Sequence, residues 1–146
     1  MREIADLLRA EIDTALPRLR AMDDRGATAA RAPGKWVRQE ILGHLIDSAA
    51  NNHQRFVRAQ YDDPYVGPSY DQLAWVAANA YLQRPWSELV ELWAAMNRHL
   101  AHVIEFARRE TLGARCVIGQ NAPATLEWVM RDYVRHLRHH LDQIFE

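Results

Sequence analysis

Hydrophobic positions recur along the chain at helical spacing, in four long tracts and one short one. In the first, Ile4, Leu7, Leu8, Ile12, Ala15, Leu16, Leu19 and Met22 advance by helical steps, which predicts an amphipathic helix from about Glu3 to Asp24. Pro17 falls inside it and is expected to kink or restart it, and Gly26 to stop it. A Pro33-Gly34 loop leads into a second helix from about Val37 to Tyr61. Trp36 is placed to staple its first turn, and Glu40 to supply half a capping box. On this helix Val37, Ile41, His44 and Ser48 share a face, and Asn51 and Arg55 continue it with polar groups, as the wall of a pocket would.

The loop at 62–68 holds two prolines and Gly67. Ser69 and Gln72 then read as a capping box for a short helix running to about Leu82. Pro85 opens a helix from about Trp86 to Arg108, striped by Leu89, Leu92, Met96, His99, Val103 and Phe106 and flanked by Trp93 and Leu100. Residues 109–123 have no period; Arg115 to Ile118 read as a short extended piece within a connection of a length that often carries function. Thr125 is a suitable N-cap for the last helix, which has no Gly or Pro before Glu146. Four long stripes that must bury against one another imply an all-α fold, a four-helix bundle with one short extra helix.

The last helix carries the candidate chemistry. Val129, Tyr133, His136, His140 and Ile144 form one stripe, so two imidazoles four residues apart stand one above the other on a face otherwise apolar. Two such rings can share one metal ion, or each can hydrogen-bond a neighbouring helix; spacing leaves both readings open. His139 lies off the stripe and is expected in solvent. His44 and His99 each sit on an apolar face, and periodicity does not choose between them as a third ligand. Asp47 and Asp132, each about one turn from a histidine, are placed to orient an imidazole. Tyr133 is a candidate hydrogen-bond donor to a reacting atom, and Asn51, Asn52 and Arg55 are candidates for a polar or acidic substrate group. Cys116 reads as a buried filler.

Composition narrows the function classes. A chain of 146 residues suits one domain with a full core. Eighteen basic against 19 acidic residues give no basic field for nucleic acid. One cysteine excludes an intrachain disulfide and a cysteine-rich zinc site, and acids occupy the N-terminal stretch where a signal peptide is apolar, so a cytoplasmic protein is expected. No apolar run approaches the ~20 residues of a membrane span. No phosphate loop, dinucleotide fingerprint or Ser-His-Asp arrangement is present.

Gly34-Lys35-Trp36, then Glu40 to Asp47 with His44 inside it, Arg55-Phe56, the Tyr81, Trp86, Trp93 and Asn97 series, Thr125-Leu126-Glu127, and Asp132 to Ile144 occur in an order that resembles the DinB-like (DinB/YfiT-like) superfamily of metal-dependent enzymes. The resemblance runs from Trp36 to Ile144. It implies a DinB-like bundle, often a homodimer, with one divalent metal ion (nickel, zinc, iron or manganese) held by His44, His136 and His140, which selects His44 over His99. The chain departs from relatives at Val37, where a polar cap is common. Three protein ligands leave a coordination position open. The implied activity is a thiol-dependent S-transferase acting on small electrophiles with a low-molecular-weight thiol as cosubstrate, as in bacillithiol- and mycothiol-dependent relatives. The alternatives are a hydrolase that activates water at the metal, and a non-catalytic, stress-related bundle that binds metal or a small ligand.

Overall fold

The computed structural model describes residues 1–146. In chain order the elements are α1 (Arg2–Arg20), α2 (Asp24–Thr28), α3 (Arg38–Arg58), β1 (Tyr65–Gly67), α4 (Gln72–Asn79), a 3-10 turn (Tyr81–Gln83), α5 (Trp86–Glu105), a second 3-10 turn (Arg109–Thr111), β2 (Arg115–Ile118), β3 (Ala124–Thr125) and α6 (Leu126–Phe145). The four long helices form the bundle. α5 packs on α1 and α3, and α6 packs on the same two, so the order around the bundle is α1, α5, α3, α6. α1 and α3 therefore occupy opposite corners. α3 lies between α5 and α6 and is also covered by α4 and the first 3-10 turn, so every residue from Ile41 to Ala49 is buried.

Local chemistry sets most boundaries. The Thr125 hydroxyl accepts from Trp128 N at 3.2 Å and starts α6. Glu40 Oε2 accepts from Val37 N at 3.0 Å, the half capping box that compensates for the apolar residue at the cap. Trp86 Nε1 donates to Leu19 O at 2.8 Å, fastening α5 to α1 where both are buried.

Several expectations give way. α1 ends at Arg20, and Asp23 caps a new short helix by accepting from Gly26 N at 2.7 Å, so Gly26 lies inside α2 and stops nothing. Pro17 lies inside α1, which continues through it to Arg20 and is not restarted there. The cap of α4 is Asp71, whose Oδ1 accepts from Leu73 N and Ala74 N, not Ser69; the carboxylate sits next to the helix and outcompetes a hydroxyl two residues upstream. α4 closes at Asn79 because Ala80 turns left-handed with φ 49°. On α5 the buried stripe is Leu89, Val90, Trp93, Ala94, Asn97, Leu100, Ala101 and Ile104, rotated from the expected one, and His99 and Phe106 are exposed. The two bulky flanking residues, Trp93 and Leu100, face the packing centre and set that rotation.

The expected extended piece is β2. It pairs parallel with β1, Tyr65 opposite Cys116, and antiparallel with β3, Cys116 opposite Ala124. This small sheet closes one end of the groove between α3 and α6. Gly43 marks a close approach on α3: a Cβ there would lie 2.1 Å from Tyr81 Cδ2. No helix is long and apolar enough to cross a membrane.

Candidate metal centre

His44 on α3 and His136 and His140 on α6 converge where those helices pack. One ring nitrogen from each lies within 4.8 Å of the others. His44 Nε2 faces His136 Nε2 at 3.3 Å, and the ring centroids of the three pairs are 5.2, 4.7 and 4.5 Å apart. Trp36 covers His44 with its ring centroid at 5.4 Å. His99 takes no part: it points to the surface on α5.

Burial, then the neighbouring imidazoles, pushes His44 down to about 3; burial, then His140, pushes His136 down to about 4; burial lowers His140 as well. All three are therefore neutral at neutral pH and offer lone pairs. Two nitrogens bound to one zinc at about 2.0–2.1 Å cannot be more than ~4.2 Å apart, and the His44–His136 pair lies inside that limit. His44 Nδ1 is buried with no hydrogen-bond partner. Three close, neutral imidazoles, His44 buried and His136 and His140 half-buried, are a poor hydrogen-bonding set and a good metal-ligand set, so these residues fit a divalent ion.

Gln143, which sequence reasoning missed, supports the centre. Its Oε1 lies 2.9 Å from His140 Nδ1, so that nitrogen donates and Nε2 keeps the lone pair; its Nε2 lies 3.1 Å from His139 Nε2. The i,i+3 spacing from His140 was the available signal. Asp47 is buried, and its Oδ1 accepts from Tyr81 Oη at 2.6 Å and Asn79 Nδ2 at 2.9 Å. Its Oδ2 has no partner, and no hydrogen bond joins it to His44. Asp132 holds Arg135 at the surface and lines the adjacent cavity.

That cavity, of about 770 Å³, opens on His136. Its walls are Ser48, Asn52 and Arg55 of α3, Ser69 and Tyr70, the β2–β3 segment with Cys116 and Ile118, and Trp128, Val129, Asp132 and Tyr133 of α6. Asn52 lies on the wall and donates to Ser48 O at 2.9 Å, whereas Asn51 donates to Asp47 O at 2.9 Å and lies off it. The one-residue difference is a 100° turn of α3. Tyr133 is buried, and its hydroxyl donates to Asn97 Oδ1 at 2.6 Å, so its proton is engaged within the core. Tyr70 was also missed, because its place between Ser69 and Gln72 reads as the start of a short helix, whereas it precedes α4 and lines the cavity. Arg55 is half-buried and has only two long contacts, to Asn52 Oδ1 and Pro68 O, both at 3.4 Å. Burial lowers its pKa, and the groups that oppose this are two phenols and the Cys116 thiol rather than a carboxylate. Cys116 is buried, and burial raises its pKa, as befits a packing residue.

The sequence profile of the DinB superfamily matches residues 7–144. The chain belongs to the DinB superfamily. Among solved structures, this DinB chain is similar to YfiT of Bacillus subtilis, described as a probable metal-dependent hydrolase with an unusual four-helix bundle topology. The TM-score is 0.84 at 20% identity, over 98% of this chain and 82% of that one. It is also similar to a mycothiol-dependent maleylpyruvate isomerase, with a TM-score of 0.80 at 12% identity over 97% of this chain. The chain spans 59% of the isomerase's length. At these identities the likeness concerns the fold, which is the DinB-type four-helix bundle. No curated protein matches the chain by sequence.

Proposed function

We propose that this DinB-superfamily chain is a metal-dependent enzyme that uses a low-molecular-weight thiol on a small electrophile bearing a carboxylate. One observation carries the reading: three neutral imidazoles converge beside a cavity of about 770 Å³ whose wall also holds a guanidinium without a carboxylate partner. Three protein ligands suit a centre with an open position better than a closed structural one. A divalent ion held there would lower the pKa of a thiol or of water and so favour the nucleophilic form.

The chain's own groups do the rest. Burial keeps His44 and His136 unprotonated, and Gln143 fixes the tautomer and aim of His140. Arg55 receives the substrate carboxylate through paired N–H donors, and it gives up only long contacts to do so. Asn52 and Tyr70 stand beside it to hydrogen-bond the remaining polar atoms. Ile118, Val129 and Trp128 supply an apolar wall for the rest of the substrate. Asp47 acts through position, holding α4 and the 3-10 turn against α3 by way of Asn79 and Tyr81. Tyr133 likewise fixes α6 to α5 through Asn97. The fold shared with a mycothiol-dependent isomerase supports the thiol. The fold shared with YfiT favours a second reading, hydrolysis without a thiol. A homodimer belongs to the proposal by the same family resemblance.

The test begins with elemental analysis of untagged protein. About one tightly held divalent ion per chain, retained through dialysis against metal-free buffer and lost in His44→Ala, is expected. Thiol consumption with carboxylate-bearing electrophiles then supports the leading reading, and ester cleavage without thiol supports the second. One ion with neither activity would leave a metal-binding bundle. No metal, and no uptake on reconstitution, would overturn both enzymatic readings.

A further inference from the structure

The chain has seven histidines, and the metal centre uses three. Two others meet across a different pair of helices. His53, near the end of α3, and His99, in the middle of α5, face each other with their Nε2 atoms 3.2 Å apart and their ring centroids at 5.0 Å. The same two atoms face each other at 3.3 Å in the His44–His136 pair. We propose that His53 and His99 form a second site for a divalent transition-metal ion, independent of the first, which clamps α3 to α5.

The separation is that of two ligands side by side on one ion. With each nitrogen about 2.1 Å from the metal, 3.2 Å subtends an angle of about 100°, between the octahedral and tetrahedral values. Neither ring has to move. The site is distinct because His53 lies nine residues beyond His44 on the same helix. Nine residues are two and a half turns, about 13.5 Å along the axis and on the opposite side of α3. One ion cannot serve both places.

The surroundings suit an exchangeable ion. His99 is exposed and His53 half-buried, so the remaining coordination positions face solvent and water fills them. Burial and the nearby His99 lower the pKa of His53, which keeps its lone pair available at neutral pH. His102, one turn along α5, lies almost parallel to the His99 ring at 17° with centroids 6.5 Å apart, and is itself set against Phe106. Two imidazoles and water select zinc, nickel or copper over magnesium and calcium, which prefer oxygen. Because α3 also carries His44 and Arg55, an ion here would stiffen the helix that serves the main site.

The experiment uses untagged, chelator-stripped protein titrated with zinc chloride and followed by calorimetry and thermal unfolding. In a His44→Ala, His136→Ala background, one zinc per chain is expected still to bind and to raise the melting temperature. Adding His99→Ala should weaken that binding by on the order of 10- to 100-fold or more, since losing even an outer-shell partner costs that much. If the double variant does not fold, the wild type serves: two ions per chain should become one in His99→Ala, whose substitution is at an exposed position. The proposal is overturned if the background variant takes up no zinc, if its zinc survives His99→Ala unchanged, or if wild type and His99→Ala bind the same number of ions.

Discussion

Replacing Gly43 with Ala tests the packing that places α3 against the 3-10 turn, one residue before His44. The new Cβ would lie 2.1, 2.5 and 2.7 Å from Tyr81 Cδ2, Cγ and Cε2, all far inside contact distance. Tyr81 is buried, so its ring has to shift by about an ångström or more, and overpacking of this kind costs about 1–3 kcal/mol. The shift also breaks the 2.6 Å bond from Tyr81 Oη to Asp47 Oδ1, a hydrogen bond to a buried carboxylate worth about 1.5–3 kcal/mol. Exchanging Gly for Ala inside a helix returns about 1 kcal/mol. The net loss is about 1.5–5 kcal/mol. At about 2.1 cal/mol/K per residue, the 146 residues unfold with about 0.3 kcal/mol/K, so the melting temperature should fall by roughly 5–16 °C. Circular dichroism melts of the metal-free protein measure this. The clash is isolated in a Tyr81→Ala background, where Gly43→Ala should become neutral or stabilising by about 1 kcal/mol. An unchanged or raised melting temperature for Gly43→Ala in the wild-type background would refute the contact and with it the placement of the turn.

Three further outcomes follow from the site. His44, His136 and His140 all have folded pKa values below the unfolded value of about 6.5, with His44 near 3 and His136 near 4. As pH falls below 6.5 the unfolded chain takes up protons that the fold refuses, so the metal-free protein loses stability until pH reaches the folded values. Allowing for partial exposure, His44 and His136 together should cost about 1–2 kcal/mol between pH 6 and 5. Urea melts at the two pH values would show this, and an identical pH slope in His44→Ala, His136→Ala would count against it. Arg55→Gln should raise KM for carboxylate substrates by roughly 10-fold or more while leaving metal content and the KM of uncharged electrophiles unchanged; equal effects on both substrate classes would remove Arg55 from the carboxylate site. Gln143→Ala should weaken metal affinity by about 10- to 100-fold without changing stoichiometry, measured by competition with a chelating dye, and full affinity in the variant would show that His140 needs no orienting partner.

Much of this arrangement is written locally in the chain. Helical spacing fixed four long amphipathic helices, Thr125 fixed the start of the last, and the four-residue step fixed His136 and His140 on one side of it. These features are legible because propensity, capping and i,i+4 geometry involve only neighbours along the backbone. Other features were open until helices met. The apolar residues of α5 span a wide arc, and its packing against α1 and α3 decided that Trp93 and Leu100, not His99, face inward. Asn52 and not Asn51 reached the cavity through a single step of rotation. His44 meets His136, at a sequence separation of 92, because α3 and α6 are adjacent in the order α1, α5, α3, α6. The lack of a carboxylate beside Arg55, and the pairing of His53 with His99, depend on the same order. Spacing along one helix sets the direction of each side chain; which group it meets is set by the neighbouring helix, and only burial of all four stripes at once determines that neighbour.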